Sequence, residues 1–322
     1  MAKKLLTVVG GTGTQGLSLI NAALEDGTYA VRATTRNAAS DKAEALRARG
    51  VEVVQADVGD EQSLVEAFKG SAAVYGVTDF FEPFTKHGPE KAVEIESAQG
   101  INLAKAASKT ASLEHFIWST LPNGGRLTGG KYLVPHFVAK NRVDDYIKQD
   151  EALHAKTTFL WITFYGNNFQ YAAFAPNLMK TSGSYVQLST ASPTTPILSI
   201  GSPLGNIGAF ALAILRQPRK TLPGRFVCAY VEETTAGKML QDWGQVTGKR
   251  AVYVQTSLDD FSNVWPMWGL EMGVMMKMWD ELRERIWTGE DGILTKDDLG
   301  LSAEGLVDAK GAMAEMDWKA LL

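Results

Sequence analysis

Gly10, Gly11, Gly13 and Gly16 lie between the apolar run Leu5–Val9 and the helical pattern Leu17–Leu24. The spacing fits G-x-G-x-x-G from Gly11 and the offset G-x-x-G-x-x-G from Gly10. Glycines in this pattern serve phosphate chemistry. One lets the chain turn sharply, another lets the backbone approach a pyrophosphate, and the last lets the helix pack closely on the strand. The anion then sits at the positive end of the helix, with Thr12, Thr14 and Gln15 as further contacts in the loop. A tight strand-to-helix turn without a ligand would use the same residues, but the position between a strand and a helix points to a dinucleotide.

A second chemical signal stands at the end of the next strand, Tyr29–Arg36. A chain selective for NAD(H) places an acid there, on the ribose 2'-hydroxyl. This chain has Thr34, Thr35 and Arg36 instead, followed by Asn37. A guanidinium fork suits a 2'-phosphate, so the expected cofactor is NADP(H). Asp57, closing the third strand, is placed either to accept from the adenine amino group or to cap the turn before the helix near Asp60.

The elements that position these residues follow from the pattern. Over residues 1–160, strands and helices alternate, and Gly27, Gly50 and Gly70 each follow a helical stretch. Ser40 or Asp41 can cap the second helix and Asp60 the third. Ala72–Val77, His115–Thr120 and Thr157–Thr163 read as further strands, which predicts a Rossmann-like, doubly wound parallel sheet. Residues 161–322 are expected to form a smaller α+β substrate lobe, with 194–217 returning to the Rossmann sheet. Tyr165–Ser192 lacks clean periodicity and reads as loops over the carboxyl edge of the sheet. Ala251–Gln255 reads as a last short strand, and the tail from Phe261 as helical.

Composition narrows the class. The chain has 322 residues, 45% of them hydrophobic, and a formal charge of −4, with no Lys/Arg cluster interleaved with aromatics, so direct nucleic-acid binding is not expected. The single cysteine, Cys228, excludes an internal disulfide framework and fits a reducing compartment. The first strand begins by Leu5, and the longest apolar stretches, Phe159–Phe164 and Ile207–Leu215, are too short to span a bilayer. A cytoplasmic protein without membrane contact is expected. Four histidines without metal-ligand spacing give no reason to expect a metal.

Taken together, Val9–Gly16, Thr35-Arg36-Asn37, Ala56-Asp57-Val58, Val77-Thr78-Asp79 and His136–Lys140 resemble the NmrA-like atypical short-chain dehydrogenases, over roughly residues 4–255. The style is closest to fungal members, some of which act in natural-product pathways. The resemblance implies an NADP(H)-binding lobe and a C-terminal lobe over the nicotinamide, with Val77, Thr78 and Asn168 among the cofactor contacts. It also implies a role for Lys140, which keeps the lysine place of the short-chain dehydrogenase Ser, Tyr and Lys set and would hold the nicotinamide ribose. His136 replaces the tyrosine one helical turn earlier, and Ser119 stands in a place like that of the serine. Imidazole exchanges a proton near neutrality, so His136 either acts as acid and base or packs at a helix start. Tyr132 and Tyr165 are the reserve proton donors.

Aromatic residues and methionines crowd the segment from Phe261 to Trp287. They suit either a core with a dimer contact or an adaptable wall for a bulky, flat substrate. On the second reading Trp265, Trp268, Met272 and Met276 line the pocket, with Tyr132 and Phe169. The leading expectation is therefore an oxidoreductase moving hydride between NADP(H) and a C=O, C=N or activated C=C of a bulky apolar metabolite. Its alternatives are a catalytically silent redox sensor that binds a regulator and a redox-assisted isomerase or cyclase. Either a monomer or a homodimer suits each.

Overall fold

The computed structural model describes residues 3–322. Apolar runs and glycine-ended helices alternate through strands β1 (Lys4–Val8), β2 (Tyr29–Thr35), β3 (Glu52–Gln55), β4 (Ser71–Gly76), β5 (His115–Thr120) and β6 (Thr157–Ile162). The C-terminal half adds β7 (Phe164–Tyr165), β8 (Asn177–Met179), β9 (Ser184–Ser189), β10 (Pro196–Gly201), β11 (Arg225–Ala229), β12 (Glu232–Thr235) and β13 (Ala251–Gln255). The main sheet has the order β11-β6-β5-β4-β1-β2-β3, with every pair parallel. The chain winds outward from β1 to β3 and resumes on the other side with β4. The strand order therefore reverses between β1 and β4, and a crevice opens beyond their carboxyl ends.

Helices cover both faces, so β5 and β6 are buried at every position, as the interior of a parallel sheet requires. Leu19, Ile20, Ile207 and Phe210 pack on Leu6, Val8, Ile117 and Leu160. On the opposite face, Leu103, Val143 and Ile147 pack on Phe116, Trp118, Phe159 and Trp161. The alternation of Phe116, Ile117 and Trp118 between these two cores is the period-two signature of a strand. Ser40 caps its helix by accepting from Ala43 N, Asp60 accepts from Gln62 N and Ser63 N, and Gly27 closes the first helix in the left-handed region.

Two departures from the sequence reading concern the second half. The segment Tyr165–Ser192 contains strands β8 and β9, and β9 pairs with β13. Its pattern is inverted: Tyr185, Gln187 and Ser189 face inward, and the Gln187 amide is satisfied by Phe174 O at 2.7 Å. A polar residue on the buried face hides the alternation. The second departure is that 194–217 returns to the first lobe by its helix and not by its strand. Pro203–Arg216 packs on Thr14–Asp26, while β10 joins β7 and β12 in a separate sheet. The cause lies just after β6, where Thr163 Oγ1 donates to Ala229 O at 2.7 Å and the next two residues peel away to pair with β10. The vacated edge is taken by β11, which carries the buried Cys228.

Candidate functional site

Gly13 is the N-cap of the helix Thr14–Asp26, and no side chain caps that end and no acid stands in its first turn. Its first N–H groups are left for an external acceptor beside exposed Gly13 and Thr14 and half-buried Thr12. A Cβ on Gly13 would meet only Gly10 O, at 3.3 Å, and otherwise point into open space. A Cβ on Gly16 would stand 2.4 Å from Gly10 O, so that glycine holds helix against loop. Val77 borders the same loop beside Gly10. These residues fit a pyrophosphate.

Arg36 lies at the end of β2 with its side chain 64% exposed. Its Nη1 bonds Glu82 Oε1 at 2.9 Å and Oε2 at 2.7 Å. Glu82, in the helix Phe81–His87, also takes Lys86 Nζ at 2.9 Å. Hydrogen bonds from Arg36 and then Lys86 hold its carboxyl down to about 2. Asn37 and Asp57 each close their own turn, accepting from Ala39 N at 3.0 Å and Gly59 N at 2.8 Å.

The helix Pro135–Gln149 brings His136, Lys140 and Asp144 inward at four-residue spacing. Lys140, with a side chain only 10% exposed, bonds Glu96 Oε1 and Thr78 Oγ1, each at 3.1 Å. Thr78 donates to the same Glu96 oxygen at 2.7 Å, and Nζ lies 5.2 Å from the centre of the Trp118 ring. Glu96 comes from the helix Pro89–Ser108 and is fully buried. The sequence reading missed it, although its place on the stripe Ala92, Glu96, Gly100 was a signal: a carboxylate on an apolar face needs a partner.

His136 Nδ1 is hydrogen-bonded to the buried carboxyl of Glu271, also missed. The Phe137 ring is edge-on at 4.6 Å, with Phe81 at 5.7 Å and Phe80 at 5.9 Å. Glu271 belongs to a π-helical turn, Gly269–Gly273, a form that recurs at functional sites. Nδ1 being occupied, Nε2 is the nitrogen left for chemistry.

Ser119 and Tyr165 are brought together by Gln15 and not by Lys140. Gln15 Oε1 accepts from Ser119 Oγ at 2.8 Å and Tyr75 OH at 2.7 Å, while its Nε2 donates to Tyr165 OH at 2.9 Å. Burial pushes the Tyr165 phenol up to about 12. Tyr132 donates to Glu281 at 2.9 Å, toward the surface. Asn168 opens the short turn Asn168–Gln170.

The expected pocket residues separate. Phe169 and Met276 line a void of about 20 Å³ with Phe164, Phe174, Tyr253 and Phe261, room for about one water. Trp265 packs on Phe261 at 4.8 Å, and Met272 is core. Trp268 instead stacks on Phe81 at 5.9 Å and meets Phe84 edge-on at 5.1 Å, and Phe81 in turn lies 5.7 Å from His136. Among the described residues, no group of three or more His, Cys, Asp or Glu could hold a metal, and no helix is long and apolar enough to cross a membrane.

The fold and site define a Rossmann-like α/β protein with a dinucleotide-type phosphate loop. The chain belongs to the NmrA-like family, whose model matches residues 2–289. It is 27% identical over 280 residues to an NmrA-like family domain-containing oxidoreductase of Aspergillus campestris, covering 83% of this chain and 78% of that one. Among solved structures, it superposes on NmrA, a negative transcriptional regulator in complex with NADP, with TM-score 0.72, 21% identity, and 98% and 96% of the two chains covered. The Citrobacter triphenylmethane reductase complexed with NADP(H) matches with TM-score 0.65 and 17% identity, over 96% and 98%.

Proposed function

We propose that this protein is an NADP(H)-dependent oxidoreductase acting on a bulky apolar metabolite. The observation that carries the reading is Lys140, an ammonium buried by Glu96 and Thr78 on the helix Pro135–Gln149. Burial of a charged pair is costly, and sites that use a cation are where such pairs are kept. The name of the Aspergillus relative and the nucleotide in the two solved structures support the class. Bound nicotinamide supplies the hydride.

The chain's own residues do the rest. The loop Gly10–Gly16 binds the pyrophosphate through backbone N–H groups, and Arg36 takes the 2'-phosphate. Lys140 holds the nicotinamide ribose and lends positive charge to the proton donor, while Glu271 fixes the imidazole so that His136 Nε2 exchanges the proton. Gln15 ties Ser119 and Tyr165 to the phosphate loop, which gives them a positioning role. Phe80, Phe81 and Trp268 exclude water around His136. A role in fungal-type natural-product chemistry and a cytoplasmic setting belong to the same proposal.

Two observations favour the sensor reading: Lys140 and His136 are each matched by a buried carboxylate, and the apolar void holds about 20 Å³. The deciding experiment follows NADPH absorbance with a panel of quinones, aryl ketones, enones and imines. Consumption with any of them supports the enzyme. No consumption, together with a protein partner captured in only one redox state of the nucleotide, reverses the assignment.

A further inference from the structure

Arg36 is not a free arginine. Its hydrogen bond to Glu82, and after it the charges of Glu82, Asp57 and Asp79, raise its affinity for its proton. A 2'-phosphate arriving there meets two cations, Arg36 and Lys86, that already share one carboxylate. It must compete with Glu82 for both, in the repulsive field of three acids. A 2'-hydroxyl meets no such opposition. It can donate to the Glu82 carboxylate, the acid that the end of β2 lacks in sequence but that the helix Phe81–His87 delivers in space.

We infer that Glu82 sets the cofactor preference, acting as a resident competitor for the 2'-phosphate on Arg36 and as an acceptor for the 2'-hydroxyl of NAD(H). The inference rests on the dinucleotide reading of the site. It makes the arginine at the strand end a weaker mark of NADP selectivity than its position suggests, since the charge it offers is largely spoken for. Glu82 is two-thirds covered and stays ionised at neutral pH, so the competition is permanent, and a neutral amide of the same shape removes it.

The test is calorimetric titration of the full chain with NADP+ and with NAD+, for wild type, Glu82→Gln, Arg36→Ala and the double variant. Glu82→Gln is expected to raise the ratio of NADP+ to NAD+ affinity roughly tenfold, from lost repulsion and a released guanidinium. In the Arg36→Ala background the part of that gain that comes from the released guanidinium should vanish, leaving a smaller gain from lost repulsion and the lost 2'-hydroxyl acceptor. If wild type binds nucleotide and Glu82→Gln leaves the ratio unchanged, the inference falls while the dinucleotide reading stands. An equal gain with and without Arg36 overturns it too. If wild type binds neither nucleotide, both fall.

Discussion

Lys140 enters the interior because Glu96 enters with it, and each is a liability without the other. Lys140→Met should therefore cost about 3–5 kcal/mol of stability by leaving Glu96 charged and unpaired. Adding Glu96→Gln should return most of it, so the double variant is the one in which to measure lost turnover. Denaturant midpoints decide this; an unchanged midpoint for Lys140→Met would mean that the pair is not formed. One turn along, Asp144 accepts from Trp118 Nε1 at 2.8 Å and Thr120 Oγ1 at 2.9 Å, and burial pushes its carboxyl up to about 7. Between about pH 4 and 7 the folded state keeps a proton that the unfolded chain releases, so this group's contribution to stability falls as pH rises through that window and stays low above it. Asp144→Asn keeps the shape without the charge, and should gain on the order of 3 kcal/mol relative to wild type between pH 4 and pH 8. Parallel stability–pH profiles would contradict this. The family resemblance, with the one-turn spacing, singled out Lys140 and His136 as candidates, and both lie buried on one face of the same helix. Glu96 and Glu271 did not stand out, because pairing across the fold leaves no mark in local spacing.

At the scale of elements, the phosphate loop separates binding from folding. Gly13 has extended backbone, φ −92 and ψ 170, which valine adopts readily, and its Cβ direction is open. Gly13→Val should leave the circular dichroism and unfolding midpoint near wild type while abolishing dinucleotide affinity. Gly16→Ala should instead destabilise, its Cβ colliding with Gly10 O. If Gly13→Val binds NADP+ as wild type does, the loop is only a turn. The first six strands and their caps could be read from sequence because apolar periodicity and stop signals agree there. β9 could not, since Gln187 buries an amide where the pattern calls for an apolar side chain. The role of the helix Phe81–His87 was equally hidden: it places Glu82 on Arg36 and Phe81 and Phe84 against Trp268.

At the scale of the molecule, the C-terminal lobe is tied to the crevice by contacts that mostly join residues far apart in sequence. Glu271 reaches His136, Tyr165 reaches Gln15, and Trp268 covers Phe81. The aromatic-rich segment divides, with Met272, Met278 and Trp279 in the core and Trp268 stacked on Phe81. Composition revealed the density of that segment but not how it divides, which depends on the break at Pro266 and the π-helical turn after it. A crystal structure of the protein grown with NADP+ decides between these outcomes. Pyrophosphate is expected on the N–H groups following Gly13, the adenosine 2'-phosphate at Arg36, and the nicotinamide ribose within hydrogen-bond reach of Lys140 Nζ, its ring facing His136. A nucleotide bound with its nicotinamide turned away from Lys140 and His136, or bound outside the crevice between β1 and β4, would contradict this placement.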